Sequence, residues 1–339
     1  MMSNLRLSLS CSAVVFAACL LVSAPLAAQP VTMKIGHATT KGAYDNWADT
    51  FKAGLAERVG DRIKVEVYPL SQLGAIPAMV QGVQLGTIEM VMTPPAFLSG
   101  VDPRFGVLSA PGIFEDLMHG FRTVHDPAFK KAYWSIGDAK GLKMVSMTCD
   151  APTDYATSTP IRKLSDFEGR KLRVFGSKLE IETMRRLGAA GVPMPLSEVV
   201  PAIQQKTIDG NKAGITIFVP FKYQRIAKYV LTPGEGLICS GRFVSKVWFD
   251  KLAPDLQKAI LDQALATDPL NQKWTLGFVD RMYKIWVKAG GELAELSAED
   301  QAELRRRLST VGDDVLKDRP AVLETYRVMK EAANRTRGG

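Results

Sequence analysis

The stretch FEGRKLRVFGSKLEIETMRRL, residues 167–187, contains the signals from which we interpret the fold. Residues 171–175 predict a short strand. Side chains alternate between the two faces of a strand, so Leu172 and Val174 face the core. The opposite face carries Lys171, Arg173 and Phe175.

A helix follows this strand. Ser177 and Glu180 have the spacing of a capping box, and Gly188 is typical of the position just beyond a helix end. Arg173 therefore lies at the carboxyl end of a strand and before a helix amino terminus, where open α/β sheets place ligands and backbone N–H groups favour an anion. Its planar guanidinium is suited to a carboxylate clamp. The alternative is a solvated surface arginine that pairs with Glu168, and this stretch alone favours that alternative.

The first half of the chain alternates strands and helices. We predict strands at residues 33–36, 63–68 and 88–92 and helices at residues 46–59 and 76–85. In the first helix an apolar stripe places Trp47 in the core. This order predicts right-handed crossovers and a parallel sheet, and hence the α/β class.

The second half repeats this alternation. We predict a strand at residues 142–149, an extended segment at residues 192–195, a helix capped by Ser197 and a turn at residues 208–210. Residues 254–288 predict one long helix, which Pro269 would kink. A chain of 339 residues suits two domains rather than one core.

The first 28 residues predict a secretory signal peptide. Arg6 is the only charged residue before Lys34, and an apolar run covers residues 7–22. Small residues follow, and we place cleavage after Ala28. Lipoprotein processing at Cys19 and a retained membrane anchor are the alternatives, although the run is short for a membrane span. We therefore expect the mature protein in the periplasm.

Charge and motifs limit the classes of function. The formal net charge of +8 favours, in an exported chain, small anions or an acidic surface as partners rather than nucleic acid. The three histidines form no metal motif, and the sequence has neither a nucleophile elbow nor a phosphate-binding loop. We expect no metal, no cofactor, no catalysis and a monomer.

Two cysteines remain after removal of the signal peptide, Cys149 and Cys239. An even pair in an oxidising compartment is compatible with a disulfide. Two buried free thiols that act as small apolar side chains are the other interpretation, and the residues alone favour it slightly.

Five segments in order carry a resemblance to a known family. They are VEVYPLSQLG (65–74), VQLGTIEMVM (83–92), LSDFEGRKLRV (164–174), VPMPLSEVVPAIQQKTIDG (192–210) and VWFDKLAPDLQKAI (247–260). With them, almost the whole mature chain resembles the DctP-type solute-binding subunits of TRAP (tripartite ATP-independent periplasmic) transporters. The resemblance implies capture of a small carboxylate ligand and delivery to membrane permease subunits, with Arg173 as the residue that anchors the carboxylate.

The resemblance also implies a two-domain periplasmic binding protein, or Venus flytrap, with strand crossovers at the hinge and a long C-terminal helix that bridges both domains. We expect domain I at residues 29–149 plus 239–278 and domain II at residues 150–238 plus 279–339. The chain would cross between domains near Cys149 and return near Cys239. If the crossing strands are antiparallel neighbours, the two sulfurs lie within disulfide reach.

Four positions depart from the family pattern. Thr153 stands near a frequent second arginine, Ala213 replaces a usual asparagine, Phe175 a frequent proline and Leu196 a frequent phenylalanine. Without an arginine and an amide, the pocket has fewer partners for polar ligand groups, which are costly to bury unpaired. We therefore expect a monocarboxylate with an apolar or aromatic body rather than a dicarboxylate or a sialic-acid-like sugar.

Further candidates for the pocket rest on this resemblance. Its expected walls are Phe175, Phe218, Tyr155 and Leu196, for each of which core packing is the alternative. We expect Lys212 to replace the missing positive charge or to be solvated, and His37 and Thr93 to donate hydrogen bonds to the ligand. Asp154 would repel a carboxylate, so it should point away or meet a donor such as Lys212. A sensor subunit of the same fold and an exported enzyme are the alternative functions.

Overall fold

The computed structural model describes residues 30–338, which form eleven strands and twelve α-helices. The strands are β1 (Val31–His37), β2 (Ile63–Tyr68), β3 (Met90–Thr93), β4 (Leu142–Pro152), β5 (Asp154–Thr157), β6 (Lys171–Val174), β7 (Ala190–Pro193), β8 (Gly210–Ala213), β9 (Tyr229–Leu231), β10 (Leu237–Ser245) and β11 (Glu292–Ala294). The expected signal peptide lies outside the described residues.

The helices cover both faces of the sheets. They are α1 (Ala43–Val59), α2 (Ile76–Leu85), α3 (Leu117–Val124), α4 (Pro127–Tyr133), α5 (Lys178–Arg186), α6 (Leu196–Gln204), α7 (Ile215–Phe218), α8 (Lys246–Phe249), α9 (Pro254–Lys288), α10 (Ala298–Leu308), α11 (Val311–Leu316) and α12 (Pro320–Arg335). Helix α6 begins one residue before the expected Ser197 cap, because Pro195 precedes it in the N-cap position and already has an extended backbone.

The strands form two sheets. The first has the order β2-β1-β3-β10-β4, in which β1 is parallel to both β2 and β3. This arrangement confirms the parallel crossovers predicted for the first half of the chain. Helix α1 packs on this sheet through a fully buried stripe that includes Trp47, Phe51 and Leu55.

The second sheet has the order β11-β9-β5-β8-β6-β7. Strand β6 is parallel to β7 and β8, whereas β5 is antiparallel to β8 and β9. The sequence predicts a turn before residues 211–213, but these residues belong to β8, in the interior of the sheet. All four residues of β8 are buried, so the sheet on either side holds this polar segment extended.

Two strands connect the sheets. Strand β4 belongs to the first sheet and continues across Thr153 into β5 of the second, while β9 of the second sheet leads to β10 of the first. Strands β4 and β10 are antiparallel partners, and Cys149 is directly opposite Cys239. The two cysteines form a disulfide, so the expectation of free thiols was wrong. The exact division of the chain into two domains stays a prediction.

The long helix α9 has the predicted bounds and continues through Pro269. It contacts both sheets. Trp47 donates a hydrogen bond to Asp268 at 2.9 Å on the side of the first sheet, and Tyr283 donates to Asp154 of β5 at 2.9 Å. Within residues 30–338, no helix combines the length and apolar character needed to cross a membrane.

Candidate functional site

A cavity lies between the two sheets, with about 60 Å³ accessible to the centres of water molecules. Its walls are mainly apolar and come from both sides. They include Ile76, Met92 and Phe97 from the side of the first sheet and Phe175, Leu196 and Ile217 from the side of the second. The cavity is thus an apolar space with few polar groups, as is usual for small-molecule sites.

Arg173 is the cationic residue of this cavity wall, and it is only 1% exposed. Its Nε donates to the carbonyl oxygen of Met194 at 2.8 Å, and its Nη1 donates to Oδ1 of Asn211 at 3.3 Å and to the carbonyl oxygen of Lys212 at 3.5 Å. Among residues 30–338, no carboxylate oxygen lies within 4.0 Å of this guanidinium, and Nη2 has no hydrogen-bond partner.

Burial lowers the pKa of Arg173 to about 10, so the side chain remains cationic at neutral pH. Its guanidinium carbon lies 4.8 Å from the ring centre of Phe175 and 5.5 Å from that of Phe97. Such cation–π contacts stabilise the charge without neutralising it. A buried cation with only neutral partners is costly, and an anion would offset that cost.

The strand–helix signals of the sequence place Arg173 here. Leu172 and Val174 are fully buried in the core, which directs Arg173 to the cavity face as predicted. The N-cap of α5 is Ser177, whose Oγ accepts from the backbone N–H of Glu180 at 3.1 Å.

A carboxylate of the protein already lies at the amino terminus of α5. Glu180 Oε2 already accepts from the backbone N–H of Gly176 at 3.1 Å and of Ser177 at 3.3 Å. The capping carboxylate of Glu180 thus occupies these two N–H groups before the helix.

The structure brings five of the nine predicted site residues to the cavity wall: Arg173, Phe175, Thr93, Leu196 and Ala213. Their contact with a ligand stays a prediction. The other four, His37, Tyr155, Lys212 and Phe218, lie elsewhere and correct the expectation from the sequence.

Phe218 and Tyr155 belong to the core of the second sheet and its helices. Phe218 contacts Tyr223 and Trp286, with ring centres 5.3 Å and 6.3 Å apart, because the short helix α7 turns it away from the cavity. Tyr155 packs edge-on against Phe167 at 5.3 Å. For both residues the interpretation as core packing was correct.

Lys212 forms an ion pair and supplies no free charge. Its Nζ lies 3.0 Å from Glu235 and 3.8 Å from Glu180 in a smaller, neighbouring cavity. Burial acts to lower the pKa of Lys212, but the two carboxylates outweigh it and raise the pKa. Lys212 therefore does not replace the missing arginine.

Asp154 points away from the cavity, as expected, but it does not meet Lys212. It accepts hydrogen bonds from the hydroxyl group of Tyr283 at 2.9 Å and from the backbone N–H of Ile215 at 3.0 Å. Burial raises its pKa to about 8.

His37 lies behind the cavity wall. Its ring is fully buried, contacts the edge of Tyr44 at 5.6 Å and forms a hydrogen bond through Nδ1 with Thr39 Oγ1 at 3.2 Å. Burial lowers the pKa of His37 to about 4, so it is neutral at physiological pH. Its neighbours Thr39 and Tyr44 line the cavity in its place.

Three features of the site were not predicted from the sequence. The family pattern has an asparagine at the position of Ala213, but the amide oxygen that accepts from Arg173 belongs to Asn211, two residues earlier. Asp150 places a buried carboxyl group in the wall, and burial raises its pKa. Phe97 faces Phe175 across the cavity, with ring centres 5.3 Å apart. Of these three features, only Asp150 had a signal in the sequence, because an acidic residue directly follows the predicted strand 142–149.

Two α/β sheets joined by crossing strands, with a largely apolar cavity and a buried cation between them, define a two-lobed solute-binding protein. Residues 35–318 match the DctP family, described as bacterial extracellular solute-binding protein, family 7. The chain belongs to this family, and its relatives are TRAP solute-binding proteins.

Two curated relatives illustrate the match. The chain is 26% identical over 295 residues to the 2,3-diketo-L-gulonate-binding periplasmic protein YiaO of Escherichia coli (86% of this chain and 82% of the relative). It is 27% identical over 305 residues to the C4-dicarboxylate-binding periplasmic protein DctP of Rhodobacter capsulatus (87% of this chain and 90% of the relative).

Solved structures show the same fold. A TRAP periplasmic solute-binding protein from Desulfovibrio salexigens with bound orotic acid aligns with a TM-score of 0.85 and 23% identity, covering 90% of this chain and 99% of that one. A sugar-acid-binding protein from Advenella mimigardefordensis in complex with galactonate aligns with a TM-score of 0.85 and 22% identity. This alignment covers 91% of this chain and 99% of that one. These similarities confirm the two-domain periplasmic-binding-protein fold.

Proposed function

We propose that this protein captures a small organic acid in the cavity between its two sheets and delivers it to the membrane permease of a TRAP transporter. The finer proposal is a monocarboxylate with an apolar or aromatic body. The observation that carries the proposal is the buried guanidinium of Arg173, which has only neutral partners among the described residues. A ligand carboxylate supplies the opposite charge and accepts the free Nη2 hydrogens.

The cavity walls support an apolar ligand body. Phe97 and Phe175 face each other beside the guanidinium, and Ile76, Met92 and Leu196 extend the apolar surface. A ligand that buries apolar atoms here gains about 25 cal/mol for each Å² removed from water. The ion pair of Lys212 with Glu235 leaves Arg173 as the unpaired cation of the wall, which favours one carboxylate over two.

The ligands of the relatives support an organic acid as the ligand, but they do not indicate whether the rest of the ligand is apolar. Their names or titles give 2,3-diketo-L-gulonate, C4-dicarboxylates, orotic acid and galactonate as ligands. A carboxyl group is common to all four. The apolar body is therefore argued from the cavity of this chain alone.

The proposal places the mature protein in the periplasm as a monomer without cofactor or catalytic activity. The predicted signal peptide and the periplasmic names of the relatives support export. A ligand between the two sheets brings walls from both sides together, and water leaves the surroundings of the Arg173 ion pair. The closed protein then docks on the permease subunits.

Titration calorimetry with the mature protein tests this function. The probes are 3-phenylpropionate, hexanoate, succinate and malate. We expect the two monocarboxylates to bind and R173M to lose about a hundredfold in affinity, because the ion pair is desolvated. R173K should bind with intermediate affinity, since lysine keeps the charge without the fork.

R170M is the matched control. Arg170 lies three residues earlier and donates its Nε hydrogen to the carbonyl oxygen of Asp166 at 2.9 Å, outside the cavity wall. Its substitution should change the affinity by no more than about twofold. Tight binding of succinate or malate with no binding of either monocarboxylate would overturn the proposed ligand class.

A further inference from the structure

Asp150 is the acidic residue in the wall of the cavity. It lies on β4 of the first sheet and is 6% exposed. Arg173 lies on β6 of the second sheet and lines the same cavity. Each sheet therefore contributes one ionisable group, and the two groups are of opposite charge type.

The carboxyl group of Asp150 is only partly satisfied by the protein. Its Oδ1 accepts a hydrogen bond from Thr148 Oγ1 at 2.8 Å. Its Oδ2 has no hydrogen-bond partner within 3.5 Å among residues 30–338, although the Ser240 hydroxyl group lies near enough to favour the ionised carboxyl group. No basic side chain in that part of the chain lies within 4.0 Å of either oxygen. A buried acceptor without a donor is unfavourable.

Arg242 is the buried cation that acts on Asp150: burial raises the pKa of the Asp150 carboxyl group, and the charge of Arg242 acts to lower it. Arg242 Nη1 donates to Thr148 Oγ1 at 2.7 Å and to the carbonyl oxygen of Ser240 at 2.9 Å, and its guanidinium lies over Trp47 at 5.0 Å. Its Nε and Nη2 have no hydrogen-bond partner among residues 30–338. Arg242 thus orients Thr148, which in turn holds Asp150 at the cavity, but it forms no ion pair with Asp150 within 4.0 Å.

We propose that Asp150 is a second ligand-binding residue, which accepts a hydrogen bond from a donor that the ligand carries in addition to its acid group. The donor is a hydroxyl or an ammonium group. This inference rests on the proposed function, in which Arg173 binds the ligand carboxylate. The ligand then links the two sheets, with its acid on one and its donor on the other.

The same carboxyl group discriminates against dicarboxylates. When Asp150 is ionised, a second ligand carboxylate beside it meets a like charge in a mainly apolar cavity, which is strongly unfavourable. An apolar body with one acid and one hydrogen-bond donor satisfies both Arg173 and Asp150. A purely apolar acid leaves Asp150 without a partner.

Matched ligands provide the test. Titration calorimetry compares 3-phenylpropionate with derivatives that add one hydroxyl or one amino group at successive positions, and with the dicarboxylate phenylsuccinate. We expect at least one derivative to bind wild-type protein about tenfold more tightly than the parent acid, as for a hydrogen bond to a charged group. Phenylsuccinate should bind more weakly than the parent.

Two variants identify the donor. D150L removes the acceptor and should abolish the advantage of the derivative, while D150N keeps a carbonyl acceptor and should retain it for a hydroxyl but not for an ammonium group. D126N is the matched control. Asp126 is 8% exposed and caps α4 outside the cavity, so its amide variant should keep the wild-type preference. Urea unfolding of each variant verifies its folding.

The outcomes separate the two proposals. If wild-type protein binds all derivatives and the parent equally, or if D150L keeps the preference, Asp150 has a structural role only and the inference is overturned while the proposed function stands. The comparison of ligands on the wild-type protein holds even if D150L does not fold. If no acid in the panel binds, the proposed function fails as well.

Discussion

Asn211 Oδ1 accepts a hydrogen bond from Nη1 of Arg173 at 3.3 Å, across two strands that place these residues opposite each other. The amide nitrogen of Asn211 donates to the hydroxyl group of Tyr223 at 3.1 Å, which fixes the side chain from behind. Asn211 thus orients the guanidinium and leaves its charge unpaired. Because Asn211 is neutral, the positive charge of Arg173 remains available for the proposed ligand carboxylate.

An acidic residue at position 211 should inactivate the site. In N211D a carboxylate forms the ion pair with Arg173 that we assign to the ligand, so we expect affinity for 3-phenylpropionate to fall by about a hundredfold. Titration calorimetry measures the loss. N334D, on helix α12, is the control for the same change of residue. Unchanged affinity in N211D would show that Arg173 does not bind the acid.

Phe175 and Phe218 should differ in their effects. F175A removes a cavity wall that also covers Arg173, so we expect about a tenfold loss of affinity for aromatic acids. F218A creates a hole in the core and should lower the free energy of unfolding by about 3–5 kcal/mol. Calorimetry and urea unfolding measure the two quantities. A larger loss of affinity in folded F218A than in F175A would contradict the placement of these rings.

The disulfide should stabilise the crossing strands. Cys149 and Cys239 are 90 residues apart in sequence, and closing a loop of this size in the unfolded chain corresponds to about 4.6 kcal/mol in the chain-entropy model. Urea unfolding with and without reductant measures the difference, and the C149S/C239S double variant should match the reduced protein. Thiol titration of the unfolded, unreduced protein should find no free thiol, and two free thiols would exclude the bridge.

The burial of His37 should make the free energy of unfolding decrease as the pH falls. Its pKa is about 4 in the folded protein and 6.5 in the unfolded chain, so the unfolded state binds the proton first as the pH falls. The contribution of neutral His37 is complete above pH 6.5 and decreases toward pH 4, by up to about 3 kcal/mol.

The comparison with H37Q isolates this effect from the buried aspartates, whose pKa values are raised and which act in the opposite direction. The free energy of unfolding of wild-type protein minus that of H37Q should decrease between pH 6.5 and 4. A difference that does not change with pH would show that the folded protein binds the proton at His37 as readily as the unfolded chain.

Local signals were sufficient to predict the element that carries Arg173. The alternation of residues 171–175 and the Ser177–Glu180 cap act within a few residues, and the structure confirms both. The bounds of α9 follow in the same way from a long helical pattern between Pro254 and Lys288.

The features that could not be predicted from the sequence depend on contacts between residues that are far apart in the chain. Strand β8 is short and polar, and it is extended because β5 and β6, far away in sequence, pair with it. Phe218 faces Trp286 of α9, and Lys212 meets Glu235, which no local pattern indicates. The disulfide likewise depends on the register of β4 and β10.

The crystal structure of the mature protein with a bound monocarboxylate tests the central claim most directly. We predict that both carboxylate oxygens lie within hydrogen-bond distance of the Arg173 guanidinium, with the ligand body packed against Phe97 and Phe175. A structure in which the acid group binds elsewhere, and Arg173 keeps only its present neutral partners, would contradict the account.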